Sequence, residues 1–411
     1  MTADAAVVVT RSDDAGHLDA GRDATSDASP DRFVAPVPDA FVAPLDAGHD
    51  SGPAVITSLS AGTGFACATL SNGAAYCWGS NLTGELGNGT TTDSTTPIQV
   101  TGIGAAKAIS AGFTEACAVL TAGTAACWGG NESGDLGNGT TVDSYVPVPV
   151  TGLTGVTAIA VGGNLGADGQ NVVCAIAAQQ EAYCWGLNPY GGVGPRPSIQ
   201  EEVPTLNPGL IGITAIAANQ DDVCAVSNGI LECLGAGSSG QIGDGLSLSS
   251  PIPTSVNGLQ TTTALTVGLN YACAVLVGGN AYCWGTNAQG QLGDGTNVAS
   301  SSPVQVSLPV AATAISAGTS QTCALLEDSS VVCWGENNYG QLGVGSSGFT
   351  SSTPVAVKGL TGVIAITSGD AFNCALLKGG TAVCWGRNDS GQLGNGTLEG
   401  SNVPVPVTIT W

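Results

Sequence analysis

Cys117-Ala118-Val119-Leu120, Thr121-Ala122-Gly123, Thr124-Ala125-Ala126-Cys127-Trp128: two short apolar runs flank a turn, and each run carries one cysteine. A three-residue loop with Gly123 in the left-handed bulge position makes this a β-hairpin. Leu120 then faces Thr124, and counting outward sets Cys117 directly opposite Cys127. With a hydrogen-bonded closing pair, the cysteines fall on a non-hydrogen-bonded pair. Cα atoms there lie about 4.5 Å apart, within reach of a disulfide.

The hairpin recurs. Counted along the chain, Cys67 goes with Cys77, Cys117 with Cys127, Cys174 with Cys184, Cys224 with Cys233, Cys273 with Cys283, Cys323 with Cys333 and Cys374 with Cys384. Their period of about 50 residues suits propeller blades of four strands. One unit reads as strand a (Pro97-Ile98-Gln99-Val100), strand b (Ala106–Ser110), strand c (Cys117–Leu120) and strand d (Ala125–Trp128). A Gly-rich connection, Gly129 to Thr140, follows. The expected fold is all-β, a seven-bladed β-propeller of four-stranded antiparallel blades over residues 55–411. The region opens on a b strand (Val55–Ser60) and closes on an a strand (Pro404–Ile409). Pairing that C-terminal strand with the N-terminal blade would close the ring and remove two exposed edges.

The fourth unit tests the hairpin geometry. Cys224 and Cys233 are one residue closer than the other pairs, and the turn is Asn228-Gly229, a two-residue hairpin loop. Ser227 then faces Ile230, and Cys224 again faces Cys233. A disulfide requires this compensation and metal binding does not. One pair also supplies only two ligands, and residues 55–411 hold no His. Each bridge is expected to contribute on the order of 2–3 kcal/mol. Seven of them imply an oxidising compartment: extracellular, cell surface or periplasm.

Composition agrees. Eight Lys+Arg stand against 31 Asp+Glu, for a formal charge of −23, which repels phosphate backbones and excludes nucleic acid as a partner. No apolar run approaches the ~20 residues of a membrane span, so no transmembrane segment is expected. Residues 1–54 hold ten Asp and no Glu, with Asp14-Ala15-Gly16, Asp19-Ala20-Gly21 and Asp46-Ala47-Gly48 among prolines. They read as a disordered, self-repelling linker. Both histidines, His17 and His49, lie in it. Ala5-Ala6-Val7-Val8-Val9 is too short for a signal-peptide core. A leader, with a possible lipid anchor upstream of this chain, is expected to have been cleaved or left out.

The string Ala317-Gly318, Cys323-Ala324-Leu325-Leu326, Cys333-Trp334-Gly335, Asn337, Gly340-Gln341-Leu342-Gly343 and Pro354 resembles the regulator of chromosome condensation repeat family. Its members fold as seven-bladed propellers, and the resemblance covers residues 55–411. Members that act as nucleotide exchange factors for a small GTPase are intracellular, whereas a disulfide-rich acidic chain looks like an exported bacterial type. The linker resembles the spacer of surface lipoproteins. Where the family carries His, three residues past the Ala-Gly step, this chain has Phe65, Glu115, Tyr271, Gln321 and Phe372. Unit four has Leu234 in place of the strand d Trp.

Loops b–c and d–a share one face. Phe65, Tyr271 and Phe372, with Phe113 nearby, form either an aromatic contact surface there or plugs for the blade gaps. Unit three is seven residues longer between Gly162 and Cys174, an insertion that includes Asp168, and Tyr190 and Arg196 follow where Gly-Gln-Leu-Gly is usual. Unit four adds Asp221-Asp222. Broken repeat rules point to a binding face in units three and four, and drift in exposed loops explains them equally. Catalysis lacks a histidine base. The adjacent pairs Glu201-Glu202 and Asp221-Asp222 point to opposite faces of a strand, which suits acid/base work badly. The Gly-Asn/Asp-Gly strings at Asn88, Asn138, Asp244, Asp294 and Asn395, followed by Thr except at Leu246, read as turns rather than calcium loops. No cofactor or metal is expected. The chain reads as a monomeric binding module for an unknown protein or glycan, not an enzyme. The alternatives are a hydrolase or lyase using loop-face carboxylates, and a guanine-nucleotide-exchange-factor-like propeller.

Overall fold

The structure, a computed structural model, describes residues 54–163, 171–194 and 199–408. The expected linker 1–54 lies outside them apart from residue 54. The described strands form seven four-stranded antiparallel sheets, each made of strands consecutive in the chain. In the first blade these are Ile56–Ala61 (b), Phe65–Leu70 (c), Ala75–Gly79 (d) and Ser94–Gln99 (a). The b strands end around one axial cavity of about 30 Å³, lined by Ala61, Ala111, Val161, Ala218, Val267, Ala317 and Ser368 from the seven blades. That is room for a water or two. Strand b is therefore innermost and strand a outermost. Burial follows: strands b and c of the first blade are buried throughout, and its strand a is mostly half-exposed.

Ring closure differs from expectation. The last strand, Ser401–Pro406, pairs with strand d of its own blade (Cys384 opposite Val405), and Ile56–Ala61 pairs only with strand c of the first blade. No strand is exchanged between the first and last blades. The physical reason lies in strand a itself. It carries proline in every blade: Pro97, Pro147, Pro204, Pro251, Pro303, Pro354 and Pro404. Proline cannot donate to a ladder on both sides and belongs at a sheet edge. The same residues blunt seven outer edges against aggregation.

The ring closes by the same kind of seam that joins blades one and two. Between blades one and two, Ala106 N donates to Gly73 O (2.9 Å), Ala111 N to Ser60 Oγ (3.0 Å), Trp128 Nε1 to Glu85 O (2.8 Å) and Gly89 N to Tyr145 O (2.8 Å). Between blades seven and one the equivalents are Ile56 N to Gly380 O (3.1 Å), Ala61 N to Thr367 Oγ1 (3.0 Å), Trp78 Nε1 to Gln392 O (3.0 Å) and Gly396 N to Thr95 O (2.9 Å). Ile56, Leu59 and Trp78 pack there against Phe372, Leu376 and Leu393.

All seven cysteine pairs are bonded as counted, with Cα atoms 4.0–4.1 Å apart. Cys67 is bridged to Cys77, Cys117 to Cys127, Cys174 to Cys184 and Cys224 to Cys233. Cys273 is bridged to Cys283, Cys323 to Cys333 and Cys374 to Cys384. The separation is slightly shorter than the 4.5 Å expected of a non-hydrogen-bonded pair, and the register is the expected one. Cys67 stands opposite Cys77, Cys174 opposite Cys184, Cys273 opposite Cys283, and Cys224 opposite Cys233. Gly123 has φ +77°, and Asn228 and Gly229 have φ +50° and +81°, the two positive values a type I′ turn needs.

Candidate functional site: the b–c and d–a loop face

Most of the repeated motif builds this face. The Asn that follows Cys-Trp-Gly folds the d–a loop around its carboxamide. Asn81 Nδ2 donates to Thr90 O and Thr92 O, and its Oδ1 accepts from Leu86 N. Asn131, Asn287 and Asn388 repeat the arrangement. The Gly-Asn/Asp-Gly strings are turns. Asn88 Oδ1 accepts from Thr90 N and Oγ1, and Asp294 Oδ1 does the same for Thr296.

Phe65, Tyr271 and Phe372, read as either a contact surface or plugs, do not lie on the surface. Phe65, Tyr271 and Phe372 are fully buried at the first position of strand c. Each lies beneath its own axial glycine: a Cβ on Gly62 would sit 2.7 Å from Phe65 Cε1, and one on Gly369 would strike the Phe372 ring. The Tyr271 hydroxyl donates across the seam to Gln321 O at 2.6 Å. The plugging role is the correct one, because the b–c loop is too short to keep these rings out of the blade gap. Asp222 occupies the equivalent slot of blade four and is likewise buried. Phe113 and Asp221 are half-buried and Tyr190 is exposed. Asp168 and Arg196 lie outside the described residues.

The two irregular units meet at one seam. Elsewhere the strand d indole donates to a backbone carbonyl of the preceding blade, as Trp185 does to Asp135 O, Trp284 to Gln241 O and Trp334 to Gln291 O. Blade four has Leu234 for that indole, and blade three has Gly192 for the Gln. Leu234 instead packs on Val193 and Leu210.

Carboxyl groups are buried nearby. Glu115 fills the aromatic slot of blade two and Asp135 its Gln slot. Glu115 Oε2 accepts from Thr114 N (3.0 Å) and Asn171 Nδ2 (3.3 Å), while Glu115 Oε1 and Asp135 Oδ1 have no partner. Burial pushes Asp135 up to about 7. Burial first, and then the neighbouring Asp135, holds Glu115 well above the ordinary carboxylate range. Asp222 is raised by burial and then by Asp221. The sequence pairs Glu201-Glu202 and Asp221-Asp222 did not point to Glu115 and Asp135. Their signal was present: an acid in a slot that takes Phe, Tyr or Gln in most other blades, with buried Glu85 and Asp222 as the further acids of this kind.

Exposed acids and large apolar side chains are more numerous on this face than at the opposite end, where Ile211, Ile230, Val277, Glu327 and Asp328 are exposed. Asp93, Glu132, Glu202, Asp389 and Glu399 are exposed on the d–a loops or the adjoining start of strand a. So are Leu82, Val142, Tyr145, Leu248 and Val298. Two lysines lie toward the opposite end, Lys107 at the start of strand b and Lys378 in a c–d turn, whereas the Lys358 ammonium reaches back to Gly345 of a d–a loop. Among the described residues the loop face has one further cation, Arg387. It is paired with Asp389 (2.8 Å) and Asp370 (3.7 Å) and stacked on Tyr339.

Models of the regulator of chromosome condensation (RCC1) repeat match residues 72–119, 123–167, 278–325, 328–376 and 380–410. The chain belongs to the RCC1 repeat family. A second RCC1 repeat model matches residues 56–85, 312–341 and 363–392. No curated protein matches the chain. Among solved structures, Prp20p from Saccharomyces cerevisiae is similar at 18% identity and TM-score 0.72, covering 87% of this chain and 88% of that one. Its description reports binding to Gsp1p and histones. Human WBSCR16 is similar at 20% identity and TM-score 0.72, over 82% and 94%. The ectodomain of the Physcomitrella patens receptor kinase CR4 shows 20% identity and TM-score 0.50, over 81% and 74%. At these identities the likeness is one of fold. RCC1-repeat propellers are typically binding or exchange-factor proteins rather than catalysts. Among the described residues no helix is long and apolar enough to cross a membrane.

Proposed function

We propose that this RCC1-repeat propeller is an exported or cell-surface binding module that engages a protein or glycan through its b–c and d–a loop face and performs no catalysis. The observation that carries the reading is the concentration of exposed acids and large apolar side chains on the loop face, with Lys107 and Lys378 at the other end. Large exposed aliphatic groups are costly on a surface with no partner, and rims of one charge steer association. Seven buried disulfides argue for a compartment outside the reducing cytosol, at the surface or in the periplasm. They weigh against intracellular exchange on a GTPase. Use of the same fold in a receptor kinase ectodomain is in keeping with such a location.

The test compares two charge-neutralised proteins, immobilised and presented with glycans and with proteins from the exterior of the producing cells. Substitution D93N/E132Q/E202Q/E399Q should abolish retention, and K107Q/K378Q should leave it unchanged. Loss through the lysine set alone, or through neither set, overturns the reading.

A further inference from the structure

The loop face is not uniform. Blades one to three carry a band in which apolar and acidic side chains alternate. Leu82 (75% exposed) stands on the first d–a loop. That loop is seated on strand a of blade two: a Cβ on Gly84 would lie 2.5 Å from Tyr145 Cδ1, and Gly89 N donates to Tyr145 O. Tyr145 and Val146 are exposed on this strand, and Val142 (70%) on the loop leading into it. The second d–a loop is seated in the same way on blade three, where Gly139 N donates to Glu202 O (2.9 Å) and Gln200 Nε2 to Glu132 O (3.5 Å). Glu132 and Glu202 are exposed along that contact.

Among the described residues of this band there is no basic side chain and no ion pair; Arg387 and its partners belong to blade seven. Blade four offers a contrast. Leu246, Leu248 and Ile252 are exposed there, with Asp244 as the one acid among them. Edge-on strand addition is unsuited to blade two, because Pro147 and Pro149 interrupt the outer ladder. Contact must therefore come from above, through side chains.

We propose that the band formed by Leu82, Val142, Tyr145 and Val146 with Glu132 and Glu202 is the docking surface, and that its partner is a cationic protein segment carrying aliphatic or aromatic side chains. The inference rests on the loop-face reading and narrows it to one sector and one partner chemistry. Unpaired carboxylates beside exposed apolar groups favour Lys or Arg interleaved with apolar residues. A purely basic chain leaves the apolar part exposed, and a purely apolar one leaves the charges unmatched.

The probe is a fluorescent peptide of alternating Lys and Leu, compared with one of alternating Lys and Ser, in fluorescence anisotropy titrations of the intact propeller. Lys-Leu should bind at least about tenfold more tightly than Lys-Ser, and added salt should weaken it. The pairs L82S/Y145S and E132Q/E202Q should each weaken Lys-Leu binding by about tenfold, with unchanged thermal unfolding. The pair L246S/L248S should have no effect. Loss through L246S/L248S but not through the band variants sinks this inference and leaves the loop-face reading standing. Equal binding of both peptides also sinks it, since the attraction is then charge alone. Loss confined to K107Q/K378Q overturns both.

Discussion

Glu115, Asp135 and Asp222 show what single substitutions do inside a repeated frame. Each replaces a residue whose side chain is buried in every blade, and each must be desolvated to fit. A carboxyl in that position is cheaper to bury protonated, which is the direction burial drives all three. The consequence for stability has a definite sign. Between the unfolded value near 4 and the folded value of about 7, Asp135 holds a proton in the folded state that the unfolded chain has released. Stability from this group is fully present below about pH 4 and is lost as pH rises through 7. Glu115 and Asp222 add in the same direction. The urea midpoint should therefore increase when pH is lowered from 8 to 5, opposite to a protein held by ionised salt bridges. Asp135→Asn should flatten the dependence. A midpoint that falls over this range, or a slope that D135N leaves undiminished, contradicts the account.

At the scale of the element, the c–d hairpin was legible in full because three local rules fix it together: turn length, alternation across the strand and the reach of a disulfide. The match of Asn228-Gly229 to a spacing shortened by one residue left no freedom in register. The outer strand was misread because its own signal, a proline in all seven copies, was used as punctuation and not as a statement about hydrogen bonding. The aromatic slot was only half legible. Spacing located Phe65, Tyr271 and Phe372, but whether they face solvent depends on how each packs beneath the axial glycine of its own blade. The exposed side chains of the docking band left no pattern at all, since surface positions carry no repeat constraint. The hairpin reading carries a quantitative expectation. Replacing Cys117 and Cys127 with alanine removes closure of a short loop in the unfolded chain and should lower stability by about 2–3 kcal/mol in urea unfolding. The two cysteines are fully buried, so mild reductant should leave native protein without titratable thiols. A cost under about 1 kcal/mol with intact blades would show that the bridge constrains nothing the strands do not already hold.

For the whole ring, stability depends on seven seams in series, and they are unequal. An inner hydroxyl of one blade accepts from the next blade's innermost strand: Ser60 from Ala111 N, Ser110 from Val161 N, Thr266 from Ala317 N and Thr367 from Ala61 N. Blades three and four have Ala160 and Ala217 at this position and cannot supply it. The seam between four and five keeps the indole bond from Trp284 to Gln241 O, whereas Leu234 removes its counterpart between three and four. That seam lacks both cross-blade contacts, and a net hydrogen bond is worth about 1 kcal/mol. Local opening should begin there. Amide exchange reads this directly. Ala218 N–H should exchange fastest, Val267 N–H more slowly, and the amides of Ala61, Ala111, Val161 and Ala317 slowest. Ala160→Ser restores an acceptor opposite Ala218 and should slow its exchange about fivefold, the factor expected of one such bond. Ser110→Ala should bring Val161 toward the rate of Val267. Uniform rates across the six amides would mean that the axial packing, not these side-chain bonds, sets the strength of the ring.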